Sequence, residues 1–96
     1  MADPIPAQGR GMITVKGTKY ELDCHGITPR QAEFIILLAE GYTQRQLAAE
    51  VGITHQAITA RLAGAKEKLS ARTPTEMVAV CFTEGWMRKK GESKDA

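Results

Sequence analysis

The chain has little of what marks a membrane protein, a secreted protein or a metalloenzyme. Only five of its 96 residues are aromatic (Tyr20, Phe34, Tyr42, Phe82 and Trp86), so any core must be mostly aliphatic. Cys24 and Cys81 stand far apart with no CxxC pair, which gives neither a disulfide framework nor paired thiolates for zinc. Cys24-His25 looks like a fragment of a metal site, but nothing supplies the other ligands, so no metal and no cofactor is expected. No apolar run approaches the roughly 18 residues that a membrane span needs, and the start MADPIPAQGRGM lacks the apolar stretch of a signal peptide. A soluble, cytoplasmic protein without membrane contact is the expectation. Charge of one sign is scarce too. Net charge is +2, and a pI near 8.7 lies below the value of about 9 at which charge alone argues for nucleic acid. There is no Gly-rich phosphate loop, no HExxH and no convincing nucleophile–base pair, so catalysis is not expected.

What is present suits one small domain: hydrophobic residues make up 43% of the chain, enough for a single compact core. The chain is organised around Thr43 to Leu69. Thr43 is a good N-cap, and Gln46 three residues on can close a capping box. Leu47, Ala48 and Val51 share a face, and Ala48 is small enough for a second helix to cross closely. Gly52, in the turn Glu50-Val51-Gly52-Ile53, suits a positive φ, and Thr54 restarts the chain as the next N-cap. Ile58, Leu62, Ala65 and Leu69 then follow i, i+4, i+7, i+11 spacing and form one buried stripe. Gln56, Thr59, Ala60 and Ala63 fall on the opposite side. They are short or amide-bearing, as a helix lying in a DNA major groove needs. Two helices joined by a glycine-containing turn at this spacing predict a DNA-binding helix-turn-helix.

The flanking segments read as its supports. Residues 1–11 hold prolines, glycines and one cation, Arg10, and are expected to form a flexible arm. Ile13 to Lys16 and Lys19 to Leu22 alternate apolar and polar residues across Gly17-Thr18. A type II′ turn there pairs Lys16 with Lys19, Val15 with Tyr20 and Ile13 with Leu22, so residues 12–26 form a hairpin extension. A lone hairpin is marginal in water. Its apolar face therefore docks on the chain's own helices, on a partner, or on a second copy. Thr28-Pro29-Arg30-Gln31 starts a helix through an N-cap, a proline at N1 and a capping-box glutamine. Phe34 to Leu38 is apolar almost all round, Glu33 and Glu40 are read as facing solvent, and Gly41 ends the helix at C′. Thr73-Pro74-Thr75-Glu76 starts a fourth helix, read as running to Met87. It carries more apolar surface than one stripe requires, so Met77, Val80 and Cys81 are expected to meet a partner. Arg88-Lys89-Lys90 opens a flexible polar tail, residues 88–96.

Residues 27–87 resemble the LuxR/GerE-type helix-turn-helix domain, the DNA-binding end of many bacterial response regulators and quorum-sensing receptors. The matching pieces are Ile27-Thr28-Pro29-Arg30, Leu38-Ala39-Glu40-Gly41, Leu47-Ala48 and Val51-Gly52-Ile53-Thr54. The match continues through Lys68-Leu69 and Arg72-Thr73-Pro74-Thr75-Glu76. The resemblance covers about two thirds of the chain. It implies a four-helix domain whose third helix reads DNA and whose fourth forms a two-fold dimer. Departures fall on the reading helix. Thr59 stands where such domains carry a base-contacting lysine, Arg61 where they carry histidine, and Ala63 at another position that is often basic; Gln31 replaces an acid in the first helix. The same stretch also resembles region 4 of bacterial sigma factors, with the long fourth helix favouring the LuxR/GerE reading.

The expected fold is therefore all-α: a four-helix LuxR/GerE-like helix-turn-helix domain with a short N-terminal β-hairpin. The expected function is a dimeric, sequence-specific transcription regulator from a bacterial or phage setting, standing alone without a receiver or ligand-binding domain. Double-stranded DNA is its partner, and a homodimer forms through the fourth helix. Gln56 can make a bidentate contact to adenine, while Thr59, Ala60 and Ala63 can touch thymine methyls. Thr43, Arg45, Thr54, His55, Arg61 and Lys66 are candidates for phosphate contacts, against simple caps for the threonines and a pair with Glu50 or Glu67 for Arg61. The competing function is a protein-interaction module that keeps the fold and modulates another regulator or RNA polymerase.

Overall fold

A computed structural model describes residues 13–91 of the chain. The elements run β1 (Thr14–Lys16), β2 (Tyr20–Asp23), α1 (Pro29–Ala39), α2 (Gln44–Val51), α3 (His55–Leu69), α4 (Pro74–Thr83) and β3 (Met87–Lys89). The all-α expectation is corrected here. The strands form a three-stranded antiparallel sheet in the order β1-β2-β3, so the domain mixes four helices with a sheet. The expected arm, residues 1–11, lies outside the described residues.

Each helix begins where its sequence signals place it. Thr28 and Thr43 head full capping boxes: the Thr28 hydroxyl accepts the Gln31 N–H at 3.0 Å, and that of Thr43 accepts the Gln46 N–H at 3.0 Å. Thr54 and Thr73 cap α3 and α4 by the same N3 bond. The helix ends are as explicit. Gly41, at φ 104°, lets the Tyr42 N–H reach the Leu37 carbonyl at 3.0 Å and its own N–H reach Leu38 at 3.1 Å. That pair of bonds is the Schellman pattern, in which a left-handed residue satisfies the last carbonyls.

The same device at the end of α4 overturns the expectation of a helix running to Met87. Gly85, at φ 79°, donates to Phe82 and Trp86 donates to Cys81, so the helix stops at Thr83. The chain then turns back and lays β3 against β2, with Leu22 opposite Met87, Glu21 opposite Arg88 and Tyr20 opposite Lys89. Residues 88–91 are therefore part of the fold and not a flexible tail, while 92–96 lie outside the described residues.

The hairpin also departs from its expected register. Val15 faces Leu22 and Lys16 faces Glu21, and the Gly17 N–H donates to the Tyr20 carbonyl at 2.8 Å, so the turn centres on Thr18-Lys19 in place of Gly17-Thr18. Gly17 has no positive φ, as a type II′ turn would require. Its lack of a side chain serves close approach: a Cβ there would collide with Ile36 of α1. A further correction concerns Glu40, read as facing solvent. Its carboxylate accepts the Lys19 N–H at 2.7 Å and the Tyr20 N–H at 3.4 Å, which ties the turn to the end of α1. The slip is by two residues, so Val15, Tyr20 and Leu22 keep the face expected of them. That face docks on α1, the chain's own helical domain.

One core results. Leu22 and Met87 of the sheet join Phe34, Ile35 and Ile36 of α1, Leu47 of α2, Ile58 and Leu62 of α3, and Met77 and Cys81 of α4. On the sheet's other face Arg88 donates to Glu21 at 2.7 Å and to both oxygens of Asp23 at 3.1 and 3.2 Å. The Thr14 hydroxyl donates to the same Asp23 carboxylate at 2.6 Å. Burial pushes the Asp23 carboxyl up, but the bonds from Arg88 and Thr14 and the Arg88 charge outweigh it and hold it below its ordinary value.

Candidate nucleic-acid interface

Helices α2 and α3 pack on one another across the Gly52 turn, where φ is 76° and the Gly52 and Ile53 N–H groups both donate to the Ala48 carbonyl. Ile58, Leu62, Ala65 and Leu69 point into the core, so α3 turns its other side outward. Gln56, Thr59, Ala60 and Ala63 are all exposed on that side. Their spacing of i, i+3, i+4 and i+7 makes them neighbours on one helical face. They carry no charge. The Thr59 hydroxyl donates to the His55 carbonyl at 3.1 Å, or to the Gln44 side chain at 3.4 Å. Its polar end is thus engaged within the protein, and the methyl is the part without a polar partner. The Gln56 amide makes no side-chain hydrogen bond among the described residues.

Cations frame this face. Arg45, His55 and Arg61 are exposed and Lys66 is half-buried. The ion pairs among the described residues join Arg30 to Glu33, Arg72 to Glu76, and Arg88 to Glu21 and Asp23. None involves Arg45, Arg61 or Lys66, so the expected rival for Arg61, a pair with Glu50 or Glu67, does not form there. Thr43 and Thr54 are caps, but capping leaves each hydroxyl its own O–H to donate, since the oxygen only accepts from N3. Capping also leaves the N1 and N2 backbone N–H groups without intrahelical partners: those of Gln44 and Arg45 in α2, and of His55 and Gln56 in α3. Two helix N-termini thus present free donors beside the same uncharged face.

Two residues take places at this face that the sequence reading did not give them. Gln44 touches Thr59 across the helix pair, which a position next to an N-cap does not announce. Glu67 is exposed and falls on the stripe of Gln56, Ala60 and Ala63, eleven residues on from Gln56. Its carboxylate sets the end of the uncharged surface, and the helical period alone could have located it.

The expected partner surface on α4 needs correction. Met77 and Cys81 are each 0% exposed and belong to the chain's own core, and Val80 is half-buried against that core. The reason is that α4 packs against α1, α3 and β3 together. Burial pushes the Cys81 thiol up to about 11. Burial first, and then the Asp23 charge, also raises that of Cys24, and both cysteines are free. The exposed side of α4 carries Thr75, Ala79, Phe82 and Thr83, with Phe82 edge-on to Tyr20 at 5.5 Å.

Among the described residues no group of three His, Cys, Asp or Glu side chains could hold a metal ion, and no helix is long and apolar enough to cross a membrane. One groove, of about 400 Å³, lies between the β1–β2 turn, α1 and α2, lined by Lys16, Glu33, Glu40 and Glu50 around Val15 and Val51. No residue of the α3 face lines it. Comparison of the chain with protein-family models, with curated proteins and with solved structures finds no match.

Proposed function

We propose that the protein is a sequence-specific DNA-binding regulator of the LuxR/GerE helix-turn-helix kind, with α3 in the major groove and α2 across the backbone. One observation carries this reading: an exposed, uncharged and short-chained face on α3, bordered by two capped helix N-termini and by unpaired cations. Major-groove base edges are read by amides and methyl-sized groups, and phosphates by cations and backbone N–H groups. Gln56 then reads adenine, and Thr59, Ala60 and Ala63 meet thymine methyls. Thr43, Arg45, Thr54, His55, Arg61 and Lys66 hold phosphates. The first half of α3 enters the groove, and Glu67 lies where the helix leaves it. A two-fold dimer in this reading uses the exposed side of α4, at Ala79 and Phe82, in place of the buried Met77 and Cys81.

Two variants separate reading from gripping. Gln56→Ala should lose about 1–3 kcal/mol at one base pair of a selected site and relax the preference there. Arg45→Ala should weaken all duplexes alike and flatten the salt dependence by about one unit. Both are measured by fluorescence anisotropy on matched and mismatched duplexes. Equal losses at every sequence for both variants would remove the base-reading role of Gln56.

A further inference from the structure

Two grooves lie side by side where α1 and α2 end. The first, of about 400 Å³, has its apolar lining from Val15, Leu37 and Val51 beside the β1–β2 turn. The second, of about 550 Å³, lies between Tyr42 and the exposed side of α2 at Gln46 and Ala49. Glu40 and Glu50 line both, so these two carboxylates stand where the grooves meet. Their charges are uncompensated. Glu40 is the C-cap of α1 and Glu50 lies in the last turn of α2, where the helix dipole is negative and a carboxylate is disfavoured. Neither helix has a cation in its last turn, whereas α3 has Lys66 and Lys68. Glu40 accepts two backbone N–H groups of the turn, and no cation pairs with Glu40 or Glu50 among the described residues. Of the cations lining the first groove, Arg30 is taken by Glu33 and Lys16 lies opposite Glu21 in the sheet. No cation lines the second.

Two carboxylates and two helix C-termini thus converge between two apolar linings. Such a place repels phosphate and is complementary to a cation flanked by apolar groups. The rim at Gly41, Gln46, Ala49 and Glu50 is exposed, so a chain can run across both grooves, whereas a small amine would fill one and leave the other open. We infer that the paired grooves dock a segment of another protein in which an arginine or lysine lies between apolar side chains. The cation sits over Glu40 and Glu50. One apolar side chain packs against Val15 and Val51, and the other against Tyr42 and Ala49. Ion pairs this exposed are individually weak, so apolar burial supplies the affinity and the acids select the partner. The inference stands apart from the DNA-binding reading, since none of the residues proposed to contact bases or phosphates lines either groove.

The test is selection from a displayed library of random twelve-residue peptides on the immobilised full chain, without DNA. Enriched peptides should share an arginine or lysine between apolar residues. In anisotropy with one such peptide, Glu50→Gln should weaken binding about threefold and Glu50→Lys about tenfold. Ala49→Arg, which sets a long cationic side chain in the second groove, should abolish it. Glu84→Gln should leave affinity unchanged, since Glu84 is also a C-cap acid but lines neither groove. Because the α2 dipole disfavours an acid at Glu50, the urea midpoint of Glu50→Lys should equal or exceed that of the wild type while peptide binding falls. If binding falls only in step with the midpoint, Glu50 is a structural residue and the inference fails. No enriched peptide, a consensus without a cation, or wild-type affinity in both Glu50→Lys and Ala49→Arg would overturn it as well. Sedimentation of the chain alone covers the other occupant: self-association that Glu50→Lys abolishes would assign the grooves to a second copy and overturn the foreign segment.

Discussion

The helical run from Thr28 to Leu69 and the three-stranded sheet enclose the same core by opposite means. In the helical run every boundary is local. A threonine accepts an N–H three residues ahead, a glycine turns left-handed just past a helix, and apolar residues recur at the helical period. In the sheet almost nothing is local. The central strand β2 is held on one side by residues a few positions earlier and on the other by Met87 to Lys89, more than sixty positions later. The ion cluster of Arg88, Glu21 and Asp23 spans the same distance. Local signals thus build the part of the molecule proposed to read DNA, and long-range pairing builds the part that braces it.

If the sheet is a true part of the core, truncating its central apolar side chain should damage the whole molecule. Leu22→Ala is expected to cost about 2–5 kcal/mol, as for other fully buried leucines, in one cooperative denaturant transition followed by circular dichroism. A small loss, or a separate early transition with the helices intact, would make the sheet an appendage.

The ion cluster offers a smaller and pH-dependent probe. Asp23→Asn should cost about 1–2 kcal/mol near neutral pH, because Arg88 and Thr14 lose a charged acceptor at a site only partly open to solvent. The sign follows from the depressed Asp23 pKa. Its contribution is fully present above the unfolded-state value of about 3.9 and is lost as pH falls through the lower folded value. Wild type and variant should therefore converge in stability in acid, as read from urea midpoints across a pH series. A gap that stays constant down to the lowest pH would assign the effect to packing.

The smallest expected effect lies in the locally encoded region. Thr54→Ala removes the α3 cap and should cost about 1 kcal/mol. Thr54→Ser should restore it, since the bond to the Ala57 N–H needs only the hydroxyl. A loss well above that size would show that the α2–α3 turn depends on more than its cap.

The contrast also explains what could be read in advance. The bounds of α1 and α2 and the start of α3 follow from Thr28-Pro29, Thr43 and Thr54 with Gly41 and Gly52, because each cap is a contact between near neighbours; the end of α3, at a left-handed Ser70, carries no such signal. The exposed face of Gln56, Thr59, Ala60 and Ala63 follows from helical period alone. The hairpin face was legible, since alternation has a period of two and a slip of two residues preserves it. Its register was not, because Glu40 and the missing side chain of Gly17 fix the turn against α1. Strand β3 was missed because Met87-Arg88-Lys89 has no alternation of its own. Its partners are Leu22 and Glu21, and no local rule connects them. The same omission made Met77 and Cys81 look spare, when α4 packs against α1, α3 and the returning strand together.

The most direct test of the proposed reading is selection of binding sites from a random duplex library with the purified chain at two salt concentrations. Reading by α3 predicts an enriched consensus at both salts, two-fold symmetric if two copies bind, in which one adenine-bearing base pair loses its preference in Gln56→Ala. If no sequence is enriched at either salt, α3 does not read DNA unaided, and the uncharged face would belong to a protein contact.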